Sequence, residues 1–344
     1  MDIRSRKREH VDSAMQGEVE YSFRPGFDDL RLLHRPLPEM PLSAVDAGCS
    51  LFGKKMAAPI IIVGMTGGYA DAKGINLRLA AACEEEGLAM GLGSQRAMIE
   101  KPELAPTYKV RKVAPAIPLI GNIGAVQLAE LGVGKVRDAL DEVEADALAI
   151  HLNPLQEVIQ PEGDHDFSGI LAQISIFCKE LGLPVIVKET GAGINREDAL
   201  QLVKACVRII DVSGSGGTSW SKVEYERSGK EPVFSDFGNP TVECVASCAG
   251  CGAQLIASGG VRNGLDVAKS IALGASYAGA ALPFLKANDP AAEARGWKSD
   301  LKKAMLLCGA KDIAALSRAR LVITGRTAQA LSALGVDLGK YARR

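Results

Sequence analysis

The run from Asp146 to Phe167 holds the densest set of residues able to do chemistry. If Ala147, Ala149, His151 and Asn153 are alternate positions of one strand, Leu148, Ile150 and Leu152 face the other way, and two small residues lie beneath two polar ones on a single face. Pro154 ends that strand, and the loop beyond carries Gln156, Glu157, Gln160, Glu162, Asp164, His165 and Asp166. A polar strand tip followed by an acidic loop suits a metal ion with an anionic ligand. Glu157 is the first metal candidate, because Mg2+ typically takes one or two carboxylates, keeps waters and bridges to substrate phosphates. Taken alone, His151 is equally a satisfied core histidine; its polar neighbours favour a site.

Further groups point the same way. Lys188 ends an apolar run, and a buried lysine is costly unless an anion or an electron-rich group accompanies it. It is either a Schiff-base lysine or a cation beside a ring that accumulates negative charge. Thr66, Ser94 and Asn122, able to hydrogen-bond a planar heteroaromatic edge, favour the second reading and a flavin mononucleotide (FMN) ring. Gly259-Gly260-Val261-Arg262 before a helical stretch, with Ala280-Ala281 and Gly214 to Thr218, would let backbone N–H groups approach its phosphate. Trp220 and Glu224 set an aromatic face and a carboxylate over the same mouth, where both would stabilise a developing carbocation. Arg6, Lys7 and His10 fit one face of a short helix, for which a solvated basic face is the plainer explanation. Together with Arg96 and His151, the two cations of that helix would offset a diphosphate.

These residues need a frame. The chain has 344 residues, 47% hydrophobic and 24% charged, enough to bury a full core without disulfides. A formal net charge of -1 gives no bulk attraction to nucleic acid or an acidic membrane, so an anionic partner must be held locally. No apolar run reaches a membrane span, no signal or transit peptide is evident, and the eight cysteines fall mostly in apolar segments, which together predict a soluble cytoplasmic protein with reduced thiols. Cys244, Cys248 and Cys251 have an iron–sulfur spacing, but they also form one stripe of a helix and are read as packing.

From Ala58 onward, short apolar runs alternate with helical periodicity. Eight strands are predicted: Ile60 to Gly64, Ala89 to Gly93, Leu119 to Ile123, Ala147 to Asn153, Val185 to Glu189, Ile209 to Ser213, Leu255 to Ser258 and Tyr277 to Ala281. The expected fold is a (β/α)8 TIM barrel spanning residues 57–344 with C-terminal helices, and residues 1–56 form an arm anchored by Phe23, Phe27, Leu30, Leu32, Leu33 and Leu37. In such barrels chemistry gathers at the C-terminal strand ends, where nearly every predicted strand finishes in a hydroxyl, amide or charge.

Taken together, Arg6-Lys7-x-x-His10, Met65-Thr66-Gly67-Gly68, Gly93-Ser94-Gln95-Arg96, His151-Leu152-Asn153-x-x-Gln156-Glu157, Lys188-Glu189-x-Gly191 and Gly216-Gly217-Thr218-x-Trp220-x-x-x-Glu224 resemble the type 2 isopentenyl diphosphate isomerases. The resemblance implies an FMN-dependent barrel that interconverts isopentenyl and dimethylallyl diphosphate, requires Mg2+, and needs its flavin reduced by NADPH although no net redox change occurs. Carried over, Met65, Thr66, Gly67, Ser94, Asn122, Lys188, Ser213, Thr218, Gly259, Gly260, Arg262, Ala280 and Ala281 would hold FMN. Arg6, Lys7, His10, Ser94, Gln95, Arg96, His151, Asn153 and Gln156 would meet substrate, Glu157 would bind Mg2+, and Gln156, Trp220, Glu224 and Lys188 would serve catalysis. The expected mechanism is protonation and deprotonation at carbon with reduced flavin as acid and base, in a dry pocket. A homo-oligomer is expected, with the arm able to reach a neighbouring subunit.

The nearest rival is an FMN-dependent 2-hydroxy acid oxidase, whose chemistry wants a histidine base and an arginine near strand six; Trp220 and Lys222 stand there instead. A non-catalytic flavin-binding protein is the third reading, and leaves Trp220, Glu224, Gln156 and Glu157 without a task.

Overall fold

The computed structural model describes residues 19–229 and 233–344, with Glu9, Asp12, Ser13 and Met15. Eight short parallel strands close into a barrel: β1 (Ile60–Ile62), β2 (Ala89–Gly91), β3 (Leu119–Gly124), β4 (Ala147–His151), β5 (Val185–Lys188), β6 (Ile209–Asp211), β7 (Gln254–Ser258) and β8 (Tyr277–Ala280). Each pairs with the next, and β8 returns to β1 through Gly279 opposite Ile61. All eight predicted strands form, and most stop a residue or two early, so the polar tips lie in the loops just beyond.

Side-chain alternation builds the interior in layers. One residue from each strand (Ile61, Ala89, Ile120, Ala149, Ile186, Ile209, Ile256 and Tyr277) joins a single apolar cluster inside the barrel. Two residues further along the same faces come Asn122, His151, Lys188, Asp211 and Ser258, a polar layer directly above the apolar one. The opposite faces, among them Ile60, Met90, Leu119, Leu148, Val187 and Ile210, pack against the surrounding helices.

Those helices include α1 (Ala72–Glu86), α2 (Arg96–Glu100), α3 (Leu128–Glu142), α4 (Pro154–Ile159), α5 (Ile170–Glu180), α6 (Arg196–Lys204), α7 (Trp220–Ser228), α8 (Thr241–Cys248) and α9 (Gly264–Leu273). Local sequence explains several starts: the Asn195 side chain accepts from the Asp198 N–H and Asn263 from the Asp266 N–H, each at 2.9 Å. α4 corrects the expected loop after β4. Proline is tolerated at the first helical position, where its missing N–H costs nothing, so Pro154 opens a helix rather than only ending a strand. Cys244 and Cys248 lie buried on α8, but Cys251 falls in the turn beyond it, so the three thiols do not share one helical stripe.

The segment before the barrel reaches both of its ends. The hairpin of Cys49–Leu51 and Lys54–Met56 sends Leu51 and Met56 into the interior cluster and plugs the N-terminal end. Val19 to Tyr21 crosses the C-terminal end, where the Tyr21 N–H donates to Gly217 O (3.0 Å) and the Ser219 N–H to Val19 O (2.7 Å). Leu30–Leu32 pairs antiparallel with Leu321–Ile323 near the C-terminus. Phe27 and Leu30 are buried as expected of anchors, whereas Leu37 is 74% exposed and anchors nothing. Among the described residues no helix is long and apolar enough to cross a membrane.

Candidate active site

The C-terminal mouth opens into a cleft of about 240 Å³, against about 20 Å³ left inside the barrel beneath it. The interior is therefore filled and the mouth is roomy and concave, the place where such folds hold ligands. Every strand contributes to its wall. Met65, Thr66 and Gly67 come from just beyond β1, Ser94 and Arg96 follow β2, and Asn122 lies near the end of β3. His151, Asn153, Gln156 and Glu157 follow from β4, Lys188 from β5, and Ser213, Thr218 and Trp220 from beyond β6. Gly259, Gly260 and Arg262 after β7, with Ala280 and Ala281 from β8, complete the ring.

On the β3–β4 side, Asn122 Nδ2 donates to Leu92 O (3.1 Å), which leaves its Oδ1 to accept from His151 Nδ1 at 2.8 Å. That assignment puts an imidazole proton on Nδ1. One turn on, Asn153 Nδ2 donates to Glu157 Oε1 (2.8 Å), and the Asp164 N–H donates to Glu157 Oε2 (2.9 Å). Each carboxylate oxygen keeps a lone pair for another partner. Glu157 is thus aimed by two donors, as a metal-binding carboxylate is oriented by its outer shell.

Lys188 stands opposite Asp211 in the β5–β6 register, and its Nζ donates to Glu189 O. Burial pushes the Lys188 ammonium and the Asp211 carboxyl toward their neutral forms, and their mutual attraction opposes this; Ser258 Oγ also supports Asp211, donating at 2.6 Å. Asp211 was not singled out in the sequence, although the cost of burying Lys188 was the signal that a counter-anion must exist. Glu189 turns away from the cleft. Its Oε2 accepts from the N–H groups of Thr190 (2.5 Å), Gly191 (2.6 Å), Ala192 and Gly193 (3.2 Å), which clamps the loop beneath Trp220. Tyr69, also unforeseen, lines the cleft and accepts from Thr66 Oγ1 at 3.2 Å.

The glycine-rich turns after β6 and β7 meet backbone to backbone. Gly259 has φ +96°, and a Cβ there would lie 1.9 Å from Gly214 O, so nothing larger fits. This close-packed floor beside Ala280 and Ala281 is a shape that suits a phosphate approached by main-chain N–H groups. The Arg262 N–H is already committed to Asp266 Oδ2 (3.1 Å), and its guanidinium pairs with Glu20 Oε2 (2.8 Å) of the crossing segment. Arg96 likewise pairs with Glu100 at 2.6 Å. Lys188, Thr66, Ser94 and Asn122 line one cleft with the β7–β8 turns, a donor set that suits a flavin nucleotide.

Two expected site residues do not face the cleft. Gln95 is fully buried and acts as a brace: its Nε2 donates to Ala139 O (2.9 Å) and its Oε1 accepts from the Asn122 N–H (3.0 Å). Glu224 is fully buried behind Gln156, whose Nε2 donates to its Oε1 at 2.9 Å, and it forms an ion pair with Arg227. It therefore meets Gln156 rather than the open mouth. Arg6, Lys7 and His10 lie outside the described residues. Among the described residues no group of three or more His, Cys, Asp or Glu side chains gathers as a metal cluster.

Residues 137–323 match the FMN-dependent dehydrogenase family. A protein of Methanothrix thermoacetophila named an isopentenyl-diphosphate delta-isomerase is 46% identical, covering 98% of both chains. One of the same name from Pyrococcus furiosus is 41% identical over 98% of this chain and 91% of its own length. Among solved structures, a mandelate oxidase with (S)-2-phenylpropionate superposes with a TM-score of 0.66 at 19% identity, covering 92% of this chain and 97% of that one, which shows the shared fold alone. With this likeness running over nearly its whole length and an FMN-type barrel beneath it, the chain belongs to the FMN-dependent isopentenyl-diphosphate delta-isomerase family.

Proposed function

We propose that the protein interconverts isopentenyl and dimethylallyl diphosphate with reduced FMN and Mg2+, NADPH serving as the reductant. The observation that carries this reading is the convergence of Glu157, Gln156, Trp220 and Lys188 on one cleft in a chain 46% identical to a relative named for that reaction. Bound reduced FMN would supply the acid and base at carbon. An unactivated alkene is a poor base, so the protein must exclude water and stabilise positive charge at the reacting carbon. Trp220 shields that charge from one side. Lys188 favours negative charge on the neighbouring ring through electrostatics fixed in advance of the reaction. Glu157 would bind Mg2+ that carries the diphosphate, with Arg96 and His151 adding contacts, and Arg6, Lys7 and His10 contributing from the arm. Ser94, Asn153 and Gln156 would orient the substrate.

An anaerobic assay with NADPH, Mg2+ and isopentenyl diphosphate is the direct test: turnover to dimethylallyl diphosphate is expected, and oxidised enzyme without reductant should be nearly silent. Full activity of the oxidised enzyme would end the reduced-flavin reading. The 2-hydroxy acid oxidase alternative is weaker, because Trp220 and Lys222 of α7 stand where that chemistry wants its histidine base and arginine, and Lys222 donates to Glu20 O (2.6 Å). Oxygen consumption with hydroxy acids would revive it. Bound flavin with no turnover of either diphosphate would favour a binding protein.

A further inference from the structure

Lys188 lines two spaces at once. It belongs to the wall of the cleft, and with Asp211 it also lines the space of about 20 Å³ left inside the barrel beneath. Asp211 is 3% exposed and takes no part in the cleft wall. The two residues stand opposite each other in the parallel β5–β6 register, so both belong to the same polar layer, and only the lysine meets whatever the cleft holds.

Burying either charge without the other is costly. Both hydrogen bonds that Asp211 receives favour its ionised form. Ser258 Oγ donates to Oδ1 at 2.6 Å, a length typical of a hydroxyl on a carboxylate, and the Ser213 N–H donates to the same atom at 3.1 Å. Lys188 Nζ donates to Glu189 O, an acceptor without formal charge, so its compensation has to come from an anion nearby. The titratable groups on the elements beside it are Asp211 on β6, His151 opposite it on β4 and Glu189 at the exit of its own strand. A histidine supplies no negative charge, and Glu189 spends Oε2 on four N–H groups of its loop. Asp211 acts on the ammonium more strongly than Glu189 does, and Lys188 is the cation that acts on Asp211.

We propose that Asp211 is a positioning residue that holds Lys188 in its charged form from the neighbouring strand, so that the positive charge offered to the cleft is set inside the barrel. Its consequence for a bound ring rests on the flavin reading above, whereas the reciprocal hold between the two side chains does not.

The test uses flavin-loaded full-length protein. Deprotonation of Lys188 is followed as a pH-dependent step in the visible flavin spectrum, assigned by its loss in Lys188→Gln. Asp211→Asn keeps the shape of the side chain without its charge, and should move that step down by about 1–3 pH units, the effect of a neighbouring opposite charge. At a pH between the two steps, the flavin midpoint potential of Asp211→Asn should fall below that of the parent, because the ring loses the nearer positive charge. A potential that rises instead means that Lys188 stays charged without Asp211, and it overturns the proposal, as does an unmoved step. The reciprocal arm needs no flavin. With aspartate 13C-labelled at the side-chain carboxyl, infrared spectra of Lys188→Gln at neutral pH should show a protonated-carboxyl band absent from the parent, since Asp211 has lost its cation. If Asp211→Asn fails to fold, that band decides: its absence, or its presence already in the parent, overturns the proposal. A parent protein that binds no FMN refutes the flavin reading and leaves the infrared arm to decide on Asp211 and Lys188.

Discussion

At the residue scale, the difference between a ligand and a brace lies in where each lone pair and proton is already spent. Gln95 and Glu157 are both polar residues beyond barrel strands, yet both ends of the Gln95 amide are consumed by backbone groups, while Glu157 keeps lone pairs for further partners. Gln95→Ala would leave Ala139 O and the Asn122 N–H buried without partners, at about 2–4 kcal/mol for the two. Denaturant unfolding should show that loss with KM for the diphosphate unchanged; a large rise in KM at intact stability would return Gln95 to the substrate. Glu157→Gln should weaken both activity and the response to added Mg2+, read as a Mg2+ titration of turnover, because the amide keeps the shape and gives up the charge. An unaltered Mg2+ response would remove Glu157 from the metal. Such distinctions were only partly legible in the sequence. The motif spacing singled out Gln95 and Glu224 along with the true cleft residues, because spacing reports which face of an element a residue occupies and not what is packed behind it. Asp211 escaped notice for the complementary reason: a buried aspartate in an apolar run has no local pattern and is explained only by Lys188 across the register.

At the element scale, strand interiors were readable and strand ends were not. Ile120 and Asn122, or Ala149 and His151, lie two apart on an inward face, and that alternation survives in the barrel; where pairing stops depends on the neighbouring strand, which a local pattern does not contain. The same holds for α4, whose existence turned on one proline read as a stop. Glycine turns were legible as flexible points, but the backbone contact they permit was not. Gly259→Ala combines a left-handed φ of +96° with a Cβ 1.9 Å from Gly214 O, a strain of about 1–3 kcal/mol before the clash is counted. The purified variant should have reduced flavin content and a lowered melting temperature; full flavin occupancy would show that the β6–β7 turns do not form the phosphate cradle. At the other end of the barrel, Asp146 joins three elements, accepting from Lys54 of the plugging hairpin, Arg111 (2.6 Å) and the Leu119 N–H (2.8 Å). Burial alone would raise its pKa, but these donors outweigh it and hold the carboxyl below its ordinary value. A depressed folded pKa stabilises the protein above the unfolded value, and the gain is lost as pH falls through the folded one. Asp146→Asn should therefore cost about 2 kcal/mol at neutral pH, between an exposed and a buried pair. It should also flatten the fall in stability below the ordinary carboxylate range, as measured by urea midpoints against pH.

At the scale of the whole molecule, the two ends of the described chain are wired to the mouth through one another. Leu321–Ile323 pairs with Leu30–Leu32, the Asp29 carboxylate accepts from the Thr327 N–H (2.9 Å), and Leu331 and Tyr341 are fully buried. A few residues before that strand, Glu20 pairs with Arg262, Tyr21 bonds to Gly217, and Pro25 packs against Gly216 and Gly260. The C-terminal segment thus contributes nothing to the lining of the cleft, yet it holds the strand that braces the β6 and β7 turns. Ending the chain at Arg320 removes the partner of Leu30–Leu32 and uncovers Phe27 and Leu30. The barrel strands keep every partner they have in the full chain, so the expected loss is local rather than global. Limited proteolysis should cut the shortened protein between residues 19 and 40 while the parent resists, and flavin affinity should fall although no deleted residue lines the cleft. Equal protease resistance and equal flavin affinity in the two proteins would mean that the crossing segment is held by the barrel mouth alone, with no part played by the C-terminal strand.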